Sequence, residues 1–363
     1  MVDLREITTI PTTRYQGSKR KILPWLFDSL NGIDFNTVLD AFGGSGVVSY
    51  LFKRMGKKVT YNDIFRFNYF IGESIIENDS VLLNNDDIDF ILNSNCNNSC
   101  SSFIFDTFCG IYYHDDENRW LDKVIQNIEN LSIFYENKTL RYKKAIAYNA
   151  LFQSCLVKRP YNLFHRKNLY LRTNNVKRNF GNLTTWNKSF QDHFLYFIAE
   201  INNSVFDSKF HCKAMCNDVF SIKASKFDLV YLDPPYVKKS GETNESSDYL
   251  RCYHFLEGIA NYSQWGDIID HNTLNKRIVK SYVPNYFTPK YAPDVFERLI
   301  KKFKNSIIVL SYRYGGVPTI EYLINILLKY KTSVKTYDKH YKYALNKQNG
   351  NSVLNREYIL IGY

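Results

Sequence analysis

The chain has 363 residues, 45% of them hydrophobic, and a formal net charge of +11. That length suits one large domain or two, with ample material for a core. No apolar run of about 18 residues occurs, which excludes a membrane-spanning helix, and the opening "MVDLREITTIPTTRYQGSKRK" lacks the apolar centre of a secretion signal, so a cytoplasmic protein is expected.

In chain order, "KRKILPWLFDSL" has a helical pattern and "TVLDAF" (37–42) reads as a strand. A glycine-rich turn follows, then the helical "VSYLFKRMG" and a second strand, "KKVTYND" (57–63). The alternation then stops. From Glu73 to Glu136 thirteen Asp or Glu stand against Arg119 and Lys123, and from Lys138 to Lys188 there are twelve Lys or Arg and no acid. This second stretch carries a predicted helix, "LRYKKAIAYNALFQSCLV", and then the aromatic- and amide-laced "KRPYNLFHRKNLYLRTNNVKRNFGNLTTW". A basic block without compensating acids points to a polyanion, nucleic acid first, with a solvated basic face as the alternative.

Strands resume at 209–215, 227–233 and 306–313, interleaved with helical "APDVFERLIKKFK" and "IEYLINILLKYK". Two more, 332–340 and 355–363, close the chain with only a polar loop between them. Strands alternating with helices predict an α/β, Rossmann-like, mostly parallel sheet with an antiparallel hairpin at one edge. The expected division is a catalytic core of 1–80 and 206–363 around a mainly helical insert, 81–205. Seven cysteines in no framework rhythm read as reduced thiols, and the pairs Cys96/Cys100 and Cys212/Cys216 as ordinary side chains in preference to zinc ligands.

"LDAFGGSG" (39–46) ends a strand, turns on glycines and opens a helix, a shape that brings backbone N–H groups close to a ligand. After Gly44 and Gly46 a dinucleotide fingerprint needs a third glycine at position 49, where Ser49 stands. Asp40 beside the turn disfavours a pyrophosphate and favours a cationic ammonium, as in S-adenosylmethionine; a purely structural turn explains the glycines equally well. Asp63 ends the next strand, beside Asn62, where such folds hold ribose hydroxyls. Asp218 in "CNDVF" is in reach of an adenine amino group if it ends the third strand. Both aspartates also suit helix caps.

"DPPY" (233–236) is the specific signal. Pro234 and Pro235 stop the strand because proline brings no N–H to the ladder. A base's exocyclic amine is a poor nucleophile, its lone pair delocalised into the ring. If Asp233 accepts one N–H and the Pro234 carbonyl the other, the nitrogen becomes more tetrahedral and its lone pair is freed. Tyr236 would stack on a base held outside the helix. A sulfonium is already a good electrophile, so neither a metal nor a covalent intermediate is needed; orientation and electrostatics suffice.

With these motifs in hand, the chain resembles the adenine-specific DNA methyltransferases of the alpha arrangement, the Dam-like class found in restriction–modification systems. "RYQGSK" (14–19), "DAFGGSG", "YND", a long insert, "NDVF" and "YLDPPY" follow in that family's order over residues 14 to 236. The phenylalanine of "DAFGGSG" is a conservative departure, since many members have proline there. The resemblance implies S-adenosylmethionine on a seven-stranded methyltransferase sheet, with duplex DNA read by the insert. By motif, Gly17 and Lys19 would lie at the methionine carboxylate; Asp40, Gly44 and Gly46 at its amino end; Asp63 at the ribose; Asp218 at the adenine; Tyr15 and Phe42 elsewhere in the cofactor site; and Asp233, Pro234, Pro235 and Tyr236 at the target base. Lys158, Arg159, His165, Arg166 and Lys167 are expected at DNA phosphates and Asn162 at a base edge. Tyr253, Glu257 and Trp265 are expected to be packing or solvated residues. A restriction endonuclease acting on the same site is an implied partner. The rival readings are methylation of cytosine N4, methylation of RNA, and a catalytically silent nucleic-acid binder.

Overall fold

A computed structural model describes residues 10–94, 101–164, 169–173, 183–224, 227–238, 248–340 and 356–363. In chain order its main elements are α1 (Leu23–Ser29), β1 (Thr37–Asp40), α2 (Val47–Arg54), β2 (Lys58–Asp63) and α3 (Arg66–Gly72). Then come α4 (Asn85–Asn93), α5 (Phe103–Phe108), α6 (Asp115–Glu129), α7 (Asn137–Val157), α8 (Leu183–Asn187) and α9 (Phe190–Asn202). The remainder is β3 (Lys213–Cys216), β4 (Leu229–Leu232), α10 (Tyr249–Ala260), α11 (Trp265–Ile268), α12 (Ala292–Lys302), β5 (Ile307–Arg313), α13 (Ile320–Tyr330), β6 (Val334–His340) and β7 (Arg356–Gly362).

The seven strands form one sheet in the order β3-β2-β1-β4-β5-β7-β6. All neighbours are parallel except that β7 runs against both β5 and β6. The closing strands are thus antiparallel as expected, but the later one lies inside and the earlier one takes the edge. Composition accounts for this: β7 supplies the apolar run "YILIG", whereas β6 reads "VKTYDKH" and is largely exposed. A charged strand suits the edge, where it discourages pairing with other chains.

Central strands show continuous apolar runs because helices cover both sheet faces. Alternate residues serve opposite sides: Val38, Leu229 and Tyr231 join one apolar cluster, and Leu39, Val230 and Leu232 the other. The second cluster is closed by α12 and α13. The first continues without a break from α2, α3 and α10 into α6, α7 and α9, so the helices between β2 and β3 share a core with the sheet. The third strand starts at Lys213 and not at 209, since Lys209 has a left-handed backbone (φ 65°) within a turn capped by Asp207.

Ion pairs correct the reading of the basic block. Arg141 lies 2.5 Å from Glu73 and 2.9 Å from Glu77, Lys144 2.7 Å from Glu129, and Lys143 is paired with Asp87. Lys158 and Arg172 share Glu117 at 2.9 and 2.7 Å. Five of the block's twelve cations are therefore neutralised by the preceding acidic stretch, folded back against them. No helix among the described residues is long and apolar enough to cross a membrane.

Candidate active site

The carboxyl end of the sheet opens into a cavity of about 600 Å³ between the segment 15–19, the turn after β1, the ends of β2 and β4, and the start of α10. The turn is braced from below. The Tyr61 hydroxyl, fully buried, donates to the carbonyls of Gly44 and Asn68 at 2.8 and 2.9 Å. A Cβ at Gly43 would stand 2.1 Å from the Tyr61 ring, and Gly46 enters α2 with a left-handed backbone (φ 74°), so side chains at these two positions would displace the turn.

Asp40 is buried at the end of β1. The Ser49 hydroxyl donates to its Oδ2 at 2.7 Å, while Oδ1 has no hydrogen-bond partner among the described residues. Burial, and then the nearby Asp233 and Asp63, push its carboxyl up to about 7. A carboxylate lining a cavity suits a cationic donor. Position 49 thus has a use that the dinucleotide comparison did not suggest: Ser49 orients Asp40.

Asp63 accepts from Gly44 N–H and Phe65 N–H, each at 2.9 Å. One bond clamps the glycine turn and the other closes a tight turn at Phe65, the N-cap residue of α3, which has no side-chain capping bond of its own, and Asp63 also lines the cavity. Burial raises its pKa against those two N–H groups. Asp218 likewise caps a short turn through Phe220 N–H at 2.8 Å, and accepts the Tyr286 hydroxyl at 2.5 Å.

At the DPPY corner the last β4 residue is Leu232, and Asp233 and Pro235 face the cavity. Burial pushes the Asp233 carboxyl up to about 6, against the ammonium of Lys19. Lys19 lines the same cavity and reaches the DPPY corner. Its Nζ lies 2.9 Å from Asp233 Oδ1 and 3.0 Å from Glu357 Oε1, and also donates to the Tyr236 hydroxyl. These contacts give each of the three ammonium donors a partner within the corner. Burial alone would favour the neutral amine, but Asp233 and Glu357 hold its pKa well above the usual lysine range.

Tyr15, Gly17, Phe42 and Gly44 also line the cavity, and Gly46, Pro234 and Tyr236 are sequence neighbours of lining residues. Tyr15 stacks on Tyr253 (4.8 Å between ring centres) and Tyr249 (5.6 Å). Sequence reasoning passed over the far wall, residues 280–289. Phe287 there meets Phe42 edge to face at 5.7 Å. The signal was present in "SYVPNYFTP", an aromatic and proline cluster between elements, but nothing in it specified a target. Tyr253, Glu257 and Trp265 are all buried, and Glu257 is not a solvated charge: it anchors α3 by accepting from Arg66 and Phe67 N–H, each at 3.0 Å.

The expected DNA contacts divide. Lys158 and Arg159 are each 1% exposed. Lys158 donates to the carbonyls of Trp186 and Lys188 besides pairing with Glu117, and Arg159 donates to the Tyr112 carbonyl at 3.1 Å. The contact proposed for these two cations is corrected, because each is oriented inward by buried acceptors. Asn162 follows them with a left-handed backbone (φ 57°), as does the exposed Tyr161. His165, Arg166 and Lys167 lie outside the described residues, as do Cys96 and Cys100.

A parallel sheet with one reversed strand inside its edge, a glycine turn after β1 and a carboxylate at the end of β2 define the S-adenosylmethionine-dependent methyltransferase fold. Within that class the chain belongs to the D12 class N6 adenine-specific DNA methyltransferases, whose profile matches residues 15–254. It is 29% identical over 355 residues to the type II methyltransferase M2.HphI of Haemophilus parahaemolyticus, covering 95% of this chain and 96% of that one. It is 24% identical over 320 residues to the type II methyltransferase M.NlaIII of Neisseria lactamica, covering 84% and 85%. The modification methylase StsI of Streptococcus sanguinis is 26% identical over 336 residues, 87% of this chain but 46% of that protein.

Proposed function

We propose that this enzyme methylates the exocyclic amino nitrogen of adenine in duplex DNA, in the cytoplasm, with S-adenosylmethionine as donor, and protects a site cut by a cognate endonuclease. The observation that carries the reading is that Asp40, with an oxygen lacking a partner, and Asp233 of the DPPY corner line one cavity. The donor, when bound, supplies a methyl group on a sulfonium. Asp40 would hold its ammonium, the Gly44 turn its amino-acid portion, and Asp63 and Asp218 its nucleoside. Asp233 and the Pro234 carbonyl accept the two N–H bonds of the target amine, and Pro235 shapes the corner where Tyr236 meets the base. The segment 81–205 carries the DNA-reading surface, with Asn162 at a base edge and His165, Arg166 and Lys167 on phosphates. The likeness to proteins named type II methyltransferases and a modification methylase supports the protective role.

Transfer of labelled methyl to mixed-sequence duplex DNA, followed by nucleoside mass spectrometry, tests the reading. Label in 6-methyladenine is expected. Label in 4-methylcytosine would keep the mechanism and change the base, and label in RNA alone would overturn the substrate.

Cofactor binding tests Asp40. Its carboxyl ionises around pH 7, and only the ionised form attracts an ammonium. Affinity is therefore expected to fall as pH drops through 7, approaching about tenfold per unit below it. Asp40→Asn should weaken binding by about tenfold to a hundredfold and flatten that dependence; calorimetry from about pH 6 to 8 reads both. A variant that keeps the wild-type slope would remove Asp40 from the ammonium site.

Replacing Arg166 and Lys167 together with alanine should weaken duplex binding at every sequence and lower the salt slope by roughly two. An unchanged slope would move the DNA surface elsewhere.

A further inference from the structure

The DPPY corner contains a second carboxylate that no motif announces. Glu357 sits near the start of β7, opposite Arg313 of β5 in the sheet register, and is 1% exposed. Its Oε1 lies 3.0 Å from Lys19 Nζ, accepts the Ser311 hydroxyl at 3.2 Å, and accepts the Tyr236 hydroxyl. Lys19 Nζ is at the same time 2.9 Å from Asp233 Oδ1. One ammonium thus serves two carboxylates, and the Tyr236 hydroxyl is held between the ammonium and one of them.

This is a costly arrangement if its purpose is packing. Taking an extra carboxylate out of water is unfavourable unless a partner compensates it, and here the compensating cation is shared. A glutamine at 357 would keep an acceptor for Tyr236 and Ser311 without adding a charge. What the charge changes is Asp233. Paired with Lys19 alone, Asp233 would sit in a neutral salt bridge with its electron density drawn toward the ammonium. A second acid competing for the same ammonium leaves Asp233 a stronger hydrogen-bond acceptor.

We propose that Glu357 is a positioning residue for the target amine: it divides the Lys19 ammonium with Asp233 and fixes Tyr236, and so sets how strongly Asp233 accepts from the base. This rests on the adenine-methylating reading above. The other groups facing Asp233 are the Tyr236 and Tyr231 hydroxyls, Asp40 across the cavity, and Tyr249 of α10. Among the described residues, the carboxylates paired with Lys19 are Asp233 and Glu357. The negative charge of Glu357 is among the causes that raise the Asp233 pKa.

The test is the pH profile of single-turnover methyl transfer for wild type, Glu357→Gln and Glu357→Asp. Asp233 must be ionised to accept an N–H, so wild-type activity should be lost as pH falls through about 6. In Glu357→Gln the plateau should drop several-fold and the acid limb should move down by about one pH unit, leaving about five times more of its own plateau activity at pH 5 than wild type retains. Glu357→Asp keeps the charge and should leave the limb near its wild-type place. A lowered plateau with an unmoved limb would reduce Glu357 to a packing role, and a profile identical to wild type would overturn the proposal.

A carbon-13 NMR titration of the Asp233 carboxyl makes the same comparison without turnover. A lower midpoint in Glu357→Gln supports the coupling, and equal midpoints refute it. A wild-type enzyme inactive on adenine yet showing that midpoint difference would sink the proposed function and leave the Glu357–Asp233 coupling standing.

Discussion

An Asp233→Ala enzyme is expected to lose methyl transfer by a factor of about 10³ or more while its affinity for duplex DNA stays within about twofold. The loss follows from the chemistry of the amine. Without an acceptor aimed at one N–H, the nitrogen lone pair remains in the ring, and no other carboxylate projects from the end of β4 to replace it. The fold should survive, because the buried Lys19 keeps Glu357 and the Tyr236 hydroxyl as partners. Duplex binding should survive because the cations proposed to carry it lie far from this corner in sequence. Labelled transfer and fluorescence anisotropy on one preparation measure both quantities. Normal turnover in the variant would end the catalytic assignment of Asp233.

The second large effect is on stability. Glu117 on α6 serves two cations that have almost no solvent of their own: the Lys158 and Arg172 side chains are 2% and 3% exposed. Glu117→Ala removes the carboxylate that both cations share, and about 3–5 kcal/mol of unfolding free energy should go with it, read by urea denaturation. The pH dependence has a definite sign. Burial alone would raise the Glu117 pKa, but Arg172 and Lys158 hold it below the ordinary value. A depressed carboxylate stabilises above its unfolded pKa, and that stability is lost as pH falls through the folded value, so the wild-type advantage should vanish in acid. Lys158→Met belongs to the same experiment. If it lowered the DNA salt slope by about one without changing the urea midpoint, Lys158 would return to the DNA surface.

What could be read from the sequence was what lies close along the chain. The turn after β1, the aspartate ending β2 and the DPPY corner are each a few consecutive residues whose backbone demands are local. Glycine must turn and proline must stop a strand, whatever surrounds them. The helical character of "LRYKKAIAYNALFQSCLV" came through for the same reason. What escaped depends on distant partners. Lys19 sits in a motif near the start of the chain, and nothing there shows that Glu357 will compete for it. Charge counted along the chain treated the basic block as uncompensated, because it could not show the preceding acids folding back onto it. Lys158 and Arg159 look exposed in a polar loop sequence, yet buried carbonyls and one glutamate draw them inward. The walls made by residues 280–289 were missed because loop positions carry no periodicity to reveal which way they face.

The sheet order also constrains how the protein is made. The ribosome delivers β6 before β7, yet β6 touches the sheet only through β7. Until β7 is in place β6 has no strand to pair with, and its contacts are those with the preceding helix and core through residues such as Val334. β7 then inserts beside β5 and brings Glu357 to the corner in the same event. The step that seats β7 in the sheet is also the step that completes the surroundings of Asp233, so the active corner is finished only as β7 arrives.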